Sequence, residues 1–204
     1  MSARIDHLVT SGTFSLDGQT FDVDNNVWVV GDDEECVVID APHDVDPILE
    51  LVAGRKVLAV LCTHAHDDHV RVAPELGRAV GAPVLLHPDD LPLWRLTLGS
   101  VPPDGDLADG QEIAVAGTTL QVLHTPGHAP GAVCFYAADL GVLFTGDTLF
   151  QGGPGATGRS FSDRNLLLRS ITDRLLSLPA TTIVKTGHGD DTTLAAERDG
   201  VLQG

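Results

Sequence analysis

The chain has 204 residues, enough to bury a substantial core, and we expect residues 1–204 to form a single domain because no Pro/Gly/Ser-rich linker divides them. Twelve basic residues against 29 acidic ones give a formal charge of −17, which repels phosphates and anionic lipids and argues against nucleic acid or membrane partners. Apolar residues stand in short runs and the N-terminus lacks the apolar core of a signal peptide, so the expected location is the cytoplasm.

Strand patterns alternate with helix patterns in the first half of the chain. Apolar and β-branched runs predict strands at residues 21–30, 36–40, 57–62 and 83–87. Apolar residues at helical spacing predict helices at 45–53 and 70–80, which stop at Gly54 and Gly81. This βαβ order indicates a sheet with helices on its outer side.

The second half repeats that order in outline. The patterns predict a hairpin from 113–115 to 119–123, a second hairpin from 132–137 to 142–145, a helix at 163–178, a strand at 182–185 and a short helix at 192–198. Two successive blocks of strands and then helices predict an α/β fold, in which two packed sheets are covered by helices on both outer faces.

The three cysteines, Cys36, Cys62 and Cys134, each lie in an apolar strand-like run, and none belongs to a Cys-x-x-Cys pair. An odd number of cysteines without a secretory signal predicts reduced, buried thiols. It argues against both a disulfide framework and a thiolate zinc site.

One short segment, residues 63–69, carries three imidazoles and two carboxylates directly after an apolar strand. Along an extended tip, His64 and His66 point to the same side. The turn that follows can bring Asp68 and His69 toward a second point. The segment therefore predicts donors for two neighbouring cations.

Three further donor-type residues follow predicted strands, each beside a glycine: His128, Asp147 and His188. Glycine lets the backbone pass close to a metal. Imidazole nitrogen and carboxylate oxygen suit zinc, with iron or manganese as alternatives, and the lack of thiolates argues against a closed structural site. Two such cations lower the pKa of a shared water and polarise a carbonyl, which predicts hydrolysis of esters, thioesters or lactones.

The order His-x-His-x-Asp-His followed by isolated His, Asp and His resembles the metallo-β-lactamase superfamily, most closely its glyoxalase II-like (hydroxyacylglutathione hydrolase-like) members. The resemblance spans almost the whole chain. It implies a four-layer αββα sandwich of two mixed β-sheets flanked by helices. It also implies a dinuclear-metal hydrolase that cleaves a thioester or related ester with a metal-bridging hydroxide.

The same resemblance implies the roles of individual residues. One of two divalent metal ions is assigned to His64, His66 and His128, the other to Asp68, His69 and His188, with Asp147 bridging the two. Asp68 and Asp147 are thereby also the expected catalytic carboxylates. Zinc is the expected metal.

Substrate-binding residues are sought in the segment 150–161 after the bridging aspartate. Arg159 and Phe161 occupy places similar to a basic residue and an aromatic of the glyoxalase pattern that reach substrate, and an arginine can hold a carboxylate through two hydrogen bonds. The alternative to this substrate-binding role, given equal weight, is a mobile surface loop in which Arg159 is solvated. The chain is too short for the helical C-terminal domain of glyoxalase II, which argues against glutathione.

The partner expected is thus a small thioester or ester. The Arg-rich, Lys-poor composition resembles actinobacterial members of the superfamily, some of which are linked to mycothiol, so a mycothiol conjugate is one expected substrate. A chain without a cap domain can also cover its site by forming a homodimer.

Three other functions compete with the hydrolase. A mononuclear-iron oxidoreductase similar to persulfide dioxygenases is one, although the Arg-Thr-Asp-Phe-Gln-like stretch of those enzymes is absent. A lactonase, another kind of hydrolase, is the second. Lactonases often place a tyrosine near the metals, whereas Tyr136, the sole tyrosine here, lies in a predicted strand. The third is a non-catalytic metal-binding protein, although such relatives usually lose ligands and none is lost here.

Residues beside the donors have expected roles of their own. Asp40, at the end of a predicted strand, is the best candidate for orienting a ligand histidine. Asp67 is expected to support the loop rather than bind metal. The remaining histidines are expected to be surface or satisfied core residues, with His124 a possible neighbour of the ligands; they are His7, His43, His87 and His124.

Overall fold

The computed structural model describes residues 3–203. Within that range the strands are β1 (Arg4–Leu16), β2 (Gln19–Gly31), β3 (Glu35–Ile39), β4 (Lys56–Leu61), β5 (Val84–Leu86), β6 (Gly105–Asp106), β7 (Glu112–Val115), β8 (Thr118–His124), β9 (Val133–Ala137), β10 (Val142–Gly146), β11 (Leu149–Phe150), β12 (Gly153–Pro154), β13 (Ile183–Thr186) and β14 (Thr192–Thr193). The helices are α1 (Val45–Val52), α2 (Asp67–Val70), α3 (Ala73–Val80), α4 (Leu91–Leu98), α5 (Arg164–Ser170) and α6 (Leu194–Gln203).

The first sheet has six strands in the order β1-β2-β3-β4-β5-β6. β1 and β2 pair antiparallel over their whole length and form a long hairpin with its tip at Asp17 and Gly18. β2 and β3 are also antiparallel, whereas β3 to β6 are parallel. The sheet is therefore mixed.

The second sheet also has six strands, in the order β14-β13-β10-β9-β8-β7. β10 and β13 are parallel, and the other neighbouring pairs are antiparallel. Since β8 and β10 both run antiparallel to β9, they point the same way. β8, β10 and β13 thus end at one edge of the sheet.

Alternation along the strands divides the core into three apolar layers. In β10, Val142 and Phe144 lie between the two sheets, while Leu143 packs with residues of α5 and α6. In β2, Trp28 lies between the sheets, while Val29 packs with residues of α1, α3 and α4. The result is a helix, sheet, sheet, helix order, which confirms the predicted αββα sandwich.

Several element boundaries differ from the sequence prediction. The hairpin strand β1 and the helix α4 were not predicted. The helix expected at 70–80 is split into α2 and α3, and the one expected at 163–178 is α-helical only to Ser170, after which Ile171–Leu175 forms a π-helical turn. The last predicted helix begins later, at Leu194, after the short strand β14.

The cysteines are buried and unpaired, as predicted. Burial raises the pKa of the Cys134 thiol to about 11, so it stays protonated at neutral pH. Among residues 3–203, no helix has the length and apolar character needed to cross a membrane.

Candidate metal centre

The first group of converging side chains consists of His64, His66 and His128. His64 and His66 lie in the loop between β4 and α2, and His128 lies in the loop after β8. The Nδ1 atom of His66 is 3.0 Å from Nε2 of His64 and 3.0 Å from Nε2 of His128. All three side chains are buried, and their nitrogens meet at one point.

The second group consists of Asp68, His69 and His188. Asp68 and His69 lie in α2, and His188 follows β13 from the other sheet. Nε2 of His188 is 3.3 Å from Nε2 of His69 and 3.3 Å from Oδ2 of Asp68, and His69 Nε2 is 3.7 Å from the same carboxylate oxygen. The structure thus brings all three together, in the grouping that the resemblance implied.

Asp147, which directly follows β10, lies between the two groups. Its Oδ2 is 3.5 Å from Nε2 of His128 in the first group and 3.4 Å from Nε2 of His188 in the second. Its Oδ1 is 3.2 Å from Nε2 of His69. One carboxylate therefore reaches donors of both groups, the geometry required of a bridging ligand.

The outer nitrogens of three histidines face oxygen acceptors. Nδ1 of His69 is 2.8 Å from Oδ2 of Asp40, Nδ1 of His128 is 2.8 Å from the carbonyl oxygen of Ala156, and Nδ1 of His188 is 2.7 Å from that of Asp24. Each Nδ1 must therefore carry the proton and donate it. In the neutral ring, the inner Nε2 then holds a lone pair, as a metal ligand requires.

His64 is oriented through an intermediate hydroxyl. Thr63 donates its hydroxyl hydrogen to Oδ2 of Asp40 over 2.8 Å and its backbone N–H to Oδ1 over 2.7 Å. Since that hydroxyl hydrogen is used, the 3.1 Å contact between Thr63 Oγ1 and His64 Nδ1 requires the ring to donate. Asp40, buried at 2% exposure, thus acts on both groups. The expected contact with a donor histidine is present.

Cations fit these donors. The outer contacts turn four Nε2 atoms toward the centre, those of His64, His69, His128 and His188. Their lone pairs repel one another unless a cation or a proton lies between them. Oxygen and nitrogen donors of this kind suit zinc, iron or manganese. The backbone is shaped to match, because a Cβ on Gly187 would overlap Oδ1 of Asp147 and lie 2.9 Å from Cε1 of His69.

The two groups differ in charge when no cation is bound. Burial lowers the pKa of His66 to about 3 and holds the pKa of His64 well below its usual value. Burial also opposes protonation of His188, but the Asp147 carboxylate outweighs it and raises the pKa of His188 to about 10. His64 and His66 are therefore neutral at pH 7, and a cation at the second group must displace at least one proton.

A cavity of about 210 Å³ opens above the donors. The β1–β2 hairpin supplies the aromatic rings of Phe14 and Phe21 to its wall, and Arg159 packs against both rings. The Arg159 guanidinium carbon is 4.6 Å from the centre of the Phe21 ring, and its Nη1 donates to Oε1 of Gln19 over 3.1 Å. Arg159 is therefore part of the pocket wall rather than solvated alone.

Phe161 is not brought to this pocket. Its side chain is 43% exposed, and its backbone φ of 72° is in the left-handed region. The expectation that Phe161 contacts substrate finds no support in its placement, because the aromatic surface comes from Phe14 and Phe21 instead. Those two were missed, since isolated aromatics in a strand carry no sequence signal for a site.

The remaining predicted residues lie outside the donor groups. Asp67 accepts from the backbone of Ser15 over 3.0 Å and pairs with Arg71, so it supports the loop as expected. His87 and His124 stack with ring centres 4.0 Å apart, away from the donors. Tyr136 packs beneath the outer helices.

Two buried polar residues near the centre were not found from the sequence. Asp90, fully buried, accepts the backbone N–H of Ala65 over 2.7 Å and also that of Gly131, which ties the two loops of the first group together. Asn25, 1% exposed, lies beside the second group. Neither residue belongs to a sequence motif that would identify it as part of the site.

Comparison with known proteins gives the family. Residues 20–188 match the family model of the metallo-beta-lactamase superfamily. The chain belongs to this superfamily. The predicted resemblance is confirmed at that level.

Three similar proteins of the superfamily illustrate its range. The hydroxyacylglutathione hydrolase GloC of Haemophilus influenzae is 34% identical over 191 residues, which cover 85% of this chain and 89% of GloC. The crystal structure of BLEG-1, a B3 metallo-β-lactamase, is 32% identical, with a TM-score of 0.77 and coverage of 93% and 97%. TTHA1623, solved in a di-iron-bound form, is 36% identical, with a TM-score of 0.76 and coverage of 93% and 96%.

Proposed function

We propose that the protein is a dinuclear-metal hydrolase that cleaves a thioester or related ester. The observation that carries this proposal is the position of Asp147, whose Oδ2 lies 3.5 Å from His128 Nε2 and 3.4 Å from His188 Nε2. A single-metal enzyme needs only one of the two groups. Superfamily membership, and similarity to a protein solved with two irons, support the same reading.

Two divalent ions bound by these donors would supply hydroxide at neutral pH and polarise the carbonyl of the substrate. The protein's own residues prepare that chemistry. Asp40, Thr63 and the carbonyl oxygens of Asp24 and Ala156 hold the donor histidines in the required protonation state. Asp147 contacts donors of both groups, and Asp68 adds negative charge at the second group.

The pocket wall suits a thioester or ester whose thiol or alcohol part, the carrier, is acidic or polar. Phe14 and Phe21 offer apolar surface, while the Arg159 guanidinium can hold a carboxylate. Similarity to GloC supports a thioester as substrate, and since the alignment covers 89% of GloC, the length of this chain does not argue against a glutathione carrier. The packed position of Tyr136 argues against the lactonase alternative.

Metal analysis combined with a substrate panel tests the proposal. We expect two metal ions per chain and hydrolysis of glutathione or mycothiol thioesters in preference to lactones, β-lactams and persulfides. Asp147→Asn should abolish turnover, whereas Asp139→Asn, the same change in an exposed turn, should not. One iron per chain with oxygen uptake on a persulfide would replace the hydrolase by an oxidoreductase. Preferential β-lactam cleavage would place the protein beside BLEG-1 in activity.

A further inference from the structure

Asn25, in β2, has a side chain that the function proposed above does not use. It is 1% exposed, and its Nδ2 is 3.1 Å from Asp68 Oδ2, 3.3 Å from His69 Nε2 and 3.4 Å from His188 Nε2. These are the three atoms of the second donor group. An amide in contact with all of them stands in the position of a further donor.

The distances among these four atoms describe a tetrahedron. Asp68, His69 and His188 are separated by 3.3, 3.3 and 3.7 Å, and the amide atom adds three edges of 3.1 to 3.4 Å. Four ligands at zinc distances of about 2.0–2.1 Å stand about 3.3 Å apart in a tetrahedral site. A cation centred among Asp68, His69 and His188 would therefore have the amide atom at ligand distance.

The charge of a bound cation decides which atom of the Asn25 amide faces the second donor group. Without a cation, the amide N–H groups face the Asp68 carboxylate, which favours the nitrogen. With a cation at the centre, the N–H dipole is repelled and the carbonyl oxygen is attracted. Oxygen and nitrogen of an asparagine exchange places by a half-turn of the terminal torsion, so the change needs no movement of β2.

His43 permits this half-turn. Its Nε2 is 2.8 Å from Oδ1 of Asn25, on the side away from the donors. Its Nδ1 is buried without a hydrogen-bond partner among residues 3–203, so no other contact decides which ring nitrogen carries the proton. The ring can donate to the amide oxygen or accept from the amide nitrogen. Gly12 makes room for it, because a Cβ at that position would overlap the His43 ring.

We propose that Asn25 is an eighth protein donor of the metal centre, which binds the second metal ion through its side-chain oxygen. This inference rests on the proposed dinuclear function. It makes the second site richer in oxygen than the first, with Asp68, Asp147 and Asn25 beside two imidazoles. Such a donor set suits a harder cation, such as manganese or ferrous iron, better than three imidazoles do.

Stepwise metal titration tests the proposal. Metal-free protein is titrated with zinc against a chromophoric chelator, and again with manganese, for the wild type and three variants. Asn25→Leu keeps the branched shape without a donor, and should weaken binding of the second ion about 10–100-fold while the first is unchanged. Asn25→Asp supplies a charged oxygen and should hold the second ion at least as tightly as the wild type. Thr10→Val, opposite Asn25 in the hairpin, is the control and should change neither.

The outcomes separate this inference from the proposed function. Wild-type protein that binds two ions, with Asn25→Leu binding the second equally well, overturns the role of Asn25 alone. Loss of the second ion in Asn25→Asp overturns it too, because an amide that only donates to Asp68 cannot be replaced by a carboxylate. Wild-type protein that binds a single ion overturns both proposals.

A crystal structure of the two-zinc wild-type protein gives a readout independent of any variant. We expect Oδ1 of Asn25 about 2.0–2.2 Å from the second zinc, and Nδ2 turned toward His43. A separation beyond about 3 Å, or the nitrogen still facing the donors, would contradict the proposal.

Discussion

Replacing Asp40 by asparagine tests the arrangement that orients the donor histidines. Oδ1 of Asp40 accepts the Thr63 backbone N–H over 2.7 Å, and Oδ2 accepts both the Thr63 hydroxyl and His69 Nδ1 over 2.8 Å. In Asp40→Asn one oxygen becomes an amide nitrogen. If that nitrogen faces His69, the ring proton moves to Nε2 and blocks the inner lone pair. If the amide nitrogen faces the Thr63 backbone instead, two N–H groups point at each other, and neither has an acceptor at this position, where Asp40 is only 2% exposed.

The magnitude follows from these contacts. Loss of a partner that orients a metal-binding histidine typically lowers metal affinity about 10–100-fold, which corresponds to about 1.4–2.7 kcal/mol. The ion at the second group should be affected more, because Asp40 contacts His69 directly. It reaches His64 only through the Thr63 hydroxyl.

Competition between the protein and a chromophoric chelator measures both affinities. Asp67→Asn is the matched control, because it makes the same chemical change in the same loop at a carboxylate that contacts Ser15 and Arg71 rather than a donor. We expect Asp67→Asn to change the metal affinities less than threefold, on the order of a few tenths of a kcal/mol. Equal affinities in wild type and Asp40→Asn, with circular dichroism unchanged, would refute the reasoning about ring protonation.

Three further predictions concern the second group, the backbone and the pocket wall. Since the pKa of His188 is raised to about 10 and, despite burial, the neighbouring carboxylates hold the pKa of His69 well above its usual value, binding of the second ion should strengthen at least about tenfold per pH unit between pH 6 and 9, with a shallower dependence for the first; equal slopes in chelator competition would contradict this. Gly187→Ala should lower metal content because its Cβ meets the bridging carboxylate, whereas Gly200→Ala, in open space on α6, should retain full metal content; a fully loaded Gly187→Ala protein would show that the backbone can yield. Arg159→Ala should raise KM with little change in kcat, and the exposed Arg169→Ala should change neither; an unchanged KM for every active substrate would remove Arg159 from the site.

The donor residues were found from the sequence because their chemistry is carried by residue type and position. His64, His128, Asp147 and His188 each follow a strand, and parallel strands end at a common edge, so residues far apart in the chain could be expected to meet. The two-sheet fold was predicted for the same reason, since alternating apolar strands and helices allow few arrangements. Local pattern and general topology pointed to these residues and to the two sheets, whereas the division of the donors into two groups came from the resemblance to the superfamily.

The pocket wall could not be found in this way, because it depends on pairing between distant segments. β1 has polar residues and Gly12 in its middle, so its own pattern is weak, and it becomes a strand by pairing with all thirteen residues of β2. Phe14 then stands near Arg159, although the two are far apart in sequence. Similarly, Asn25 contacts His188 only after the two sheets have packed. Neither contact has a local sequence signal.

Seven of the donors come from loops and from α2, whereas the aromatic part of the pocket wall comes from the β1–β2 hairpin. Each donor group is fixed by hydrogen bonds to Asp40 after β3, to Asp24 within β2, or to Ala156 in the loop after β12. The wall is formed by the hairpin, which meets the later loop through Gln19 and Arg159. Changes at Phe21 should consequently alter which substrate is accepted while metal binding is retained, whereas changes at Asn25 in the same hairpin should alter metal binding.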